Sequence, residues 1–278
     1  MDFIDTHQHL IFRDRLGYEW TNGIPSLAEG DFTPQDYDAL TTGKGISGTL
    51  FMETGVDDVD YQSEARYVGG LVGTGGMLGQ IASCRPEEDA GFDAWFEESQ
   101  GLGVVGYRRI LHVMPDELSQ SSTFRANIKK IGAAGLPFDI CVLARQLPLA
   151  TELAGACDGT KMVLNHCGVP DIAGGAFDAW AADIEGLAQM SNVSVKLSGL
   201  TAYCAPGTGN AETLRPWVNH VIQTFGPSRM VWGGDWPVVN LGSGLPEWID
   251  ITRELLSGLS NDEQSAIAGD NAHKLFNL

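Results

Sequence analysis

The chain of 278 residues, with 43% hydrophobic and 19% charged side chains, has the length and composition of a folded globular protein and not of a disordered one. Its net charge of −19 at pH 7 disfavours nucleic acid and anionic membrane surfaces as partners, because both carry negative charge. No segment approaches the roughly 18 consecutive apolar residues that a membrane-spanning helix needs.

An apolar N-terminal segment, residues 3–9, predicts the first β-strand and carries Asp5, His7 and His9. Alternate residues of a strand face the same side, so the two imidazoles share one face with the carboxylate below them. Two histidines at a strand end can hold a metal ion or hydrogen-bond a substrate oxygen. The alternative is a pair of ordinary half-buried histidines.

A long segment, residues 11–33, follows this strand and carries Tyr18 and Trp20 with little periodicity. Loops of this size in compact domains are usually functional or disordered. The aromatic residues favour an ordered cap over the site, and Tyr18 and Trp20 are predicted to contact the substrate there.

Seven further short, β-branched segments predict strands, and segments with helical spacing lie between them. The further strands are predicted at 48–53, 78–83, 104–110, 138–143, 162–166, 193–197 and 230–233. The helices are predicted at 34–42, 60–72, 89–100, 124–134, 147–156, 177–190, 212–225 and 247–255.

Eight strands that alternate with helices indicate parallel pairing, because a parallel connection requires a crossover and a helix is the usual one. The simplest closed arrangement is a single (β/α)8 TIM barrel with a long loop after strand one. An open, doubly wound sheet is the alternative, although no Gly-x-Gly-x-x-Gly follows the first strand. No linker or repeat interrupts the pattern, so we expect residues 1–278 to form one domain.

Polar side chains recur at the carboxyl ends of the predicted strands, where barrel enzymes place their chemistry. Besides His7 and His9, they are Glu53, Arg108, Arg109, His166, Lys196, Ser198 and Asp235. The barrel geometry predicts that they converge on one mouth.

Each of these residues also has an ordinary structural explanation. Asp235 could cap a turn, and His166 could be a hydrogen-bonded core histidine. Arg108 could pair with one of the many acids, while Lys196 and Glu53 could face solvent. The Gly-Gly-Asp-Trp-Pro context of Asp235 favours a functional role, since an acid between glycines and a rigid Trp-Pro is an unusual structural choice.

Three histidines and one aspartate around a barrel mouth suit hydrolysis. Asp235 as general base would take a proton from water. His7, His9 and His166, or a metal that they hold, would polarise the carbonyl group and stabilise the oxyanion. No Gly-x-Ser-x-Gly motif is present, so a serine nucleophile is not expected.

The five cysteines are scattered and form no Cys-x-x-Cys pair, which is typical of free thiols in a reducing compartment. The N-terminal sequence carries no basic leader with a long apolar core. We therefore expect a cytoplasmic protein. The sequence holds no signal for its oligomeric state.

The sequence resembles the amidohydrolase-2 type proteins of the amidohydrolase superfamily, and within them the sugar-lactone and 2-pyrone-4,6-dicarboxylate lactonases. The resemblance runs nearly the full length of the chain. Among the matching elements are Asp5-Thr6-His7-Gln8-His9-Leu10, Gly106-Tyr107-Arg108-Arg109, Asn165-His166-Cys167-Gly168, Val195-Lys196-Leu197-Ser198-Gly199-Leu200 and Gly234-Asp235-Trp236-Pro237-Val238.

The resemblance implies a barrel enzyme that opens cyclic esters by attack of water, with Asp235 as base and the histidines around the carbonyl group. The implied substrates are aldonolactones such as L-fucono- or L-rhamnono-lactone, in carbohydrate catabolism. Arg108 and Lys196, together with the aromatic residues of the long loop, are expected to hold the substrate.

Two departures from the superfamily pattern bear on metal binding. The carbamylated lysine of a two-metal site would stand at the end of strand four, where this chain has Tyr107-Arg108-Arg109-Ile110. Glu53 stands where relatives often carry glutamine. We therefore expect either no required metal or one divalent ion, most readily zinc, and its predicted ligands are His7, His9, His166 and Asp235, with Glu53 as a further ligand.

Two other functions share these features. A metal-dependent decarboxylase of aromatic or related carboxylic acids would use the same barrel, histidines and aspartate, and would release carbon dioxide. A non-catalytic binding protein that kept the fold is the third alternative, although every expected polar group is present.

Overall fold

Eight parallel strands form one sheet in chain order in the computed structural model, which describes residues 1–278. They are β1 (Phe3–Gln8), β2 (Ile46–Met52), β3 (Met77–Ser83), β4 (Val104–Ile110), β5 (Phe138–Cys141), β6 (Met162–Leu164), β7 (Val193–Ser198) and β8 (Met230–Gly233). The strands match the predicted segments, with differences confined to their ends.

The first strand meets the end of the last one. The backbone N–H of Asp235 donates to the carbonyl oxygen of His7 at 2.8 Å, and the N–H of His9 donates to the carbonyl oxygen of Trp236 at 2.8 Å. Gln8 and Trp236 form a parallel bridge between these segments. The prediction of a (β/α)8 barrel is thereby confirmed, and the open doubly wound sheet is excluded.

Helices cover the outside of the barrel between successive strands. They are α1 (Pro34–Thr41), α2 (Tyr61–Gly69), α3 (Phe92–Gln100), α4 (Ser122–Ala133), α5 (Leu147–Ala156), α6 (Phe177–Ala188), α7 (Ala211–Phe225) and α8 (Leu245–Leu256), followed by α9 (Asn261–Ser265) and α10 (Asn271–Phe276). None of them is long and apolar enough to cross a membrane.

The two C-terminal helices, α9 and α10, were not predicted. Helices this short are marginal by themselves, so their local sequence carries little signal. Packing stabilises α10, whose Ala272 and Phe276 lie in one apolar cluster with Ile4, Leu50 and Val231 of three barrel strands. Helix α9 buries no side chain, and its start is set by a reciprocal capping box of Ser260 and Glu263 that the sequence analysis did not use.

Local sequence sets the start of α1 and ties it to the site. Thr33 and Asp36 form a reciprocal capping box, and Pro34 occupies the first turn, where its missing N–H costs nothing. The helix thereby places Tyr37 so that its hydroxyl donates to Asp5 Oδ2 at 2.6 Å. Asp5 also accepts from the N–H groups of His7 and Gly234, so one buried carboxylate links β1, α1 and the segment after β8.

The main apolar core lies between the barrel and the helices that surround it. Trp180, Trp232 and Trp248 are fully buried in this layer, and each indole N–H finds an acceptor. Burial of side chains of this size is the main stabilising contribution to such a layer. The rigid layer holds the strand ends in fixed positions, as a preorganised site requires.

Candidate active site

His7 and His9 lie at the carboxyl end of β1 with their Nε2 atoms 3.1 Å apart. The Nδ1 of His9 lies 2.9 Å from the carbonyl oxygen of Met52. A carbonyl oxygen can only accept, so Nδ1 carries the proton, and the lone pair of Nε2 points at the site. The predicted pairing of the two imidazoles on one face is present.

Asp235 follows β8 and approaches both histidines. Its Oδ1 lies 3.6 Å from Nε2 of His7 and 3.5 Å from Nε2 of His9. Its Oδ2 is buried and has no hydrogen-bond partner. The residue has a φ of 58°, a conformation that costs energy in a residue with a side chain and that is often found at functional sites.

Gly199 makes room for this carboxylate. A Cβ atom at position 199 would lie 2.1 Å from Asp235 Oδ2, and the glycine has a φ of 62°. Only glycine meets both requirements at low cost.

The three atoms His7 Nε2, His9 Nε2 and Asp235 Oδ1 form a triangle that suits a metal ion. Bond lengths of about 2.0–2.1 Å place two ligands of a tetrahedral zinc ion about 3.3 Å apart. The observed separations of 3.1, 3.5 and 3.6 Å bracket that value. The donor set therefore fits one divalent ion with an open fourth position.

His166 belongs to the same mouth but stands outside this triangle. It follows β6 with a φ of 51°, and its Nδ1 lies 2.9 Å from the Ser198 hydroxyl and 3.7 Å from Asp235 Oδ2. His166 therefore lies beside Asp235 Oδ2 and beside the ring of His7, with ring centroids 4.5 Å apart, but its nitrogen is not one of the three atoms of the triangle.

The histidines are neutral around pH 7. Burial lowers the pKa of His7 well below its ordinary value, that of His9 to about 3 and that of His166 to about 4. Burial also raises the pKa of Asp235, against the opposing effect of nearby His166, Arg108 and Lys196. Neutral imidazoles act as ligands or hydrogen-bonding groups, so their contacts with Asp235 are not ion pairs.

The structure places Glu53 in an ion pair with Arg108 and not with the potential metal ligands. Arg108 Nε donates to Glu53 Oε1 at 2.6 Å, and the other oxygen accepts from the N–H of Gly55 at 2.8 Å. Both carboxylate oxygens are therefore engaged, and the metal-ligand role predicted for Glu53 is not supported.

Arg108 itself lines the mouth, although only 3% of its surface is exposed. Its Nη2 donates to the carbonyl oxygen of Glu53, and its Nη1 lies 3.3 Å from His7 Nε2. The guanidinium thus occupies part of the space beside His7. Burial alone would raise the pKa of Glu53, but the charge and hydrogen bonds of Arg108 outweigh it, and the net pKa lies below the ordinary value.

Lys196 is located inside the barrel and cannot reach a substrate at the mouth. It is fully buried, and its Nζ donates to Asp139 Oδ1 at 2.7 Å and to the carbonyl oxygen of Thr6 at 2.9 Å. Asn165 donates to the same Asp139 oxygen. The predicted substrate contact is therefore replaced by a structural one: strand periodicity turned this side chain inward.

The two aromatic residues of the long loop differ in position. Trp20 is 39% exposed, lines the mouth and donates its indole N–H to the carbonyl oxygen of Thr54. Tyr18 is 4% exposed and packs with Ile11, Leu16 and Val56. Trp20 thus borders the cleft, and its contact with a substrate stays a prediction, whereas Tyr18 is packed inside the loop and does not border the cleft.

One cleft of about 400 Å³ lies at the carboxyl ends of the strands, and of the predicted site residues it is bordered by His9, Trp20, Arg108, His166 and Asp235. Its wall also contains residues that the sequence analysis did not single out, namely Thr54, His112, Cys141 and Tyr203. Each lies at or beyond a strand end, so a wider search of those ends would have found them. The Nδ1 of His112 lies 3.4 Å from the sulfur of Cys141.

The sequence matches the Amidohydrolase family over residues 4–278. The chain therefore belongs to this family, as the motifs indicated. A relative named L-fucono-1,5-lactonase, from Burkholderia ambifaria, is 26% identical over 287 residues, which cover 99% of this chain and 95% of that protein.

Solved structures share the fold along the whole chain. An amidohydrolase from Burkholderia multivorans, solved with bound zinc, superposes with a TM-score of 0.89 at 23% identity and 100% coverage of both chains. The 5-carboxyvanillate decarboxylase from Sphingomonas paucimobilis superposes with a TM-score of 0.69 at 15% identity, covering 100% of this chain and 99% of that one. At these identities the structures support the fold and leave the reaction open.

Proposed function

We propose that the protein hydrolyses a lactone, and specifically a sugar-acid lactone such as L-fucono- or L-rhamnono-lactone. The observation that carries the proposal is the carboxylate of Asp235. One of its oxygens approaches two neutral imidazoles, while the other is buried, unpartnered and next to the cleft. A carboxylate held in this way is suited to orient a water molecule and remove its proton.

In the proposed reaction, water attacks the ester carbonyl carbon while Asp235 Oδ2 takes its proton. The bond between the carbonyl carbon and the ring oxygen then breaks, and Asp235 returns the proton to the departing alkoxide. The product is the open hydroxy acid. In this proposal His166, whose Nδ1 lies 3.7 Å from Oδ2, orients the carboxylate.

We include one divalent ion as a potential cofactor, with His7, His9 and Asp235 Oδ1 as its ligands. When bound, zinc or a similar ion would supply Lewis-acid polarisation of the ester carbonyl. The Arg108 nitrogen 3.3 Å from His7 Nε2 lies beside this ligand set, so we expect modest affinity.

The wall of the cleft supports a neutral cyclic ester as substrate. Trp20, Ile110 and Val113 offer apolar surface, and Tyr203 offers a hydroxyl group to substrate oxygens. The likeness to the L-fucono-1,5-lactonase of Burkholderia ambifaria supports the same choice.

The decarboxylase alternative has less support from the cleft. Arg108, the one basic side chain in the wall, already donates from two of its nitrogens to Glu53, so without a bound metal ion only its Nη1 faces a substrate carboxylate. Lys196 is buried in a separate ion pair.

A pH-indicator assay of an aldonolactone panel, with and without chelator, tests the proposal. We expect acid release from at least one sugar lactone, no carbon dioxide, and loss of turnover in Asp235→Asn. Carbon dioxide release from an aromatic acid, without lactone opening, would establish the alternative.

A further inference from the structure

A second cleft, of about 320 Å³, lies at the opposite end of the barrel from the candidate active site. It is bordered by residues at the amino-terminal ends of β6, β7 and β8 and by helix α10. We call it the basal cleft and define it by Lys161, Ser191, Ser194, Ser228, Arg229 and Lys274. Nothing in the proposed reaction uses it.

The charge of the basal cleft is opposite to that of the rest of the protein. The chain has 36 acidic residues and 17 basic ones, yet no aspartate or glutamate borders this cleft. In a protein of net charge −19, such a basic concavity locally favours anions.

The basic residues of the basal cleft differ from most others in the chain because they have no acidic partner. Most lysines and arginines pair with an acid. The exceptions are Arg13, Lys129, Lys161, Arg229 and Lys274. Three of these exceptions, Lys161, Arg229 and Lys274, border the one basal cleft.

The cations of the cleft are of two kinds. Arg229 donates to the carbonyl oxygens of Phe225, Met190, Val193 and Ala188, so it contributes charge but few free N–H groups. Lys161 and Lys274 are exposed, and their ammonium groups contact no acceptor of the chain. They are therefore the available donors.

Hydroxyl groups complete the donor set. Ser191, Ser194 and Ser228 border the cleft, and none of their hydroxyls is engaged by another group of the chain. Ammonium and hydroxyl groups without acidic neighbours are suited to the oxygens of a phosphate group. The cleft volume is at the low end of the range for small-molecule sites, which fits a compact metabolite.

From this arrangement we propose that the basal cleft binds a small anion bearing a phosphate group, through Lys161 and Lys274. The shared chemistry is the phosphate dianion, whose source is either inorganic phosphate or a phosphate monoester of a small polyol. The site is independent of the proposed lactone hydrolysis.

Isothermal titration calorimetry at constant ionic strength tests the proposal, with inorganic phosphate and glycerol 3-phosphate as probes and chloride as the background anion. We expect saturable binding with a dissociation constant in the millimolar range or tighter. Tighter binding of glycerol 3-phosphate supports the monoester as source, and equal binding supports inorganic phosphate.

The double variant Lys161→Met/Lys274→Met should weaken binding at least 10-fold without loss of folding, because neither side chain has a partner to lose. Lys129→Met is the matched control, an exposed and unpaired lysine on α4 away from the cleft, and should change binding less than 2-fold. Asp235→Asn should bind as the parent protein does. No saturable binding below 10 mM, or equal weakening by the control, overturns the proposal.

Discussion

Replacing Arg108 should break its buried ion pair with Glu53, and the stability of the variant should then depend steeply on pH. In Arg108→Met, Glu53 would keep only the Gly55 N–H as its partner, at a position that is 1% exposed in the parent protein. Breaking a buried pair from one side typically costs about 3–5 kcal/mol, because the remaining charge is left uncompensated.

Protonation of Glu53 limits this loss and sets its pH dependence. Taking up a proton at pH 7 costs a carboxyl group of ordinary pKa 4.5 about 3 kcal/mol, at about 1.4 kcal/mol per pH unit. At pH 5 the same protonation costs less than about 1 kcal/mol. We therefore expect a loss of about 3–5 kcal/mol at pH 7 that shrinks by about 2–3 kcal/mol at pH 5.

Urea unfolding of the parent and variant between pH 5 and 8 measures this difference. The double variant Glu53→Gln/Arg108→Met should lose most of the pH dependence, since it leaves no buried charge. Arg66→Met, which breaks a half-exposed pair with Glu98, is the control and should cost less than about 1 kcal/mol at every pH.

A loss below about 1 kcal/mol at pH 7, or one that is equal at pH 5 and pH 8, would refute this reasoning. Kinetic measurements on the folded fraction of Arg108→Met test whether Arg108 also acts in substrate binding or turnover. Because Nη1 of Arg108 faces His7 and the cleft, kcat/KM should also fall. Unchanged kinetics would show that Arg108 is purely structural.

Three further outcomes are expected. Asp235→Asn should fold normally and lose about 10²–10⁴-fold in kcat, since it keeps the shape of the side chain but not its basicity, and near-parent turnover would remove the base assignment. Elemental analysis should find at most one ion per chain, and a chelator should remove only part of the activity. Two tightly held ions per chain would contradict a site for a single ion. Burial raises the pKa of Glu64 to about 8, so between pH 4.5 and 8 this carboxyl ionises in the unfolded chain but keeps its proton in the folded protein, and stability falls as the pH rises. Glu64→Gln should therefore raise the free energy of unfolding by about 3 kcal/mol at pH 7 and by less than about 1 kcal/mol at pH 5. Glu97→Gln, at an exposed position, is the control for Glu64→Gln in urea unfolding. An equal effect of both variants at all pH values would contradict the raised pKa of Glu64.

Local patterns in the sequence determined the barrel and the centre of its candidate site. Alternation of β-branched segments with helical ones requires parallel pairing, and the carboxyl ends of parallel strands meet at one mouth. His7, His9, His166 and Asp235 could therefore be placed together in advance. Strand and helix ends differ by a few residues, because the last residues of an element depend on contacts that the pattern does not contain.

Tertiary structure alone decided which charged groups face the cleft. Arg108 and Glu53 are 55 residues apart, and Lys196 and Asp139 are 57 apart, so no local pattern shows that they pair. Burial of a charge is costly unless a partner is present, and the partner in each case belongs to another strand. Because of these ion pairs, the Glu53 carboxylate is not among the three potential metal ligands, and the Lys196 ammonium group does not border the cleft.

The basal cleft depended on tertiary structure in the same way. Lys161, Arg229 and Lys274 are scattered in the chain, and each reads as an ordinary surface cation. Barrel closure brings the start of β6 and the start of β8 onto one side, and α10 packs beneath them. The sequence could predict functional residues at strand ends because strand direction is a local property. The partner of a charged side chain depends instead on the contacts of the folded chain.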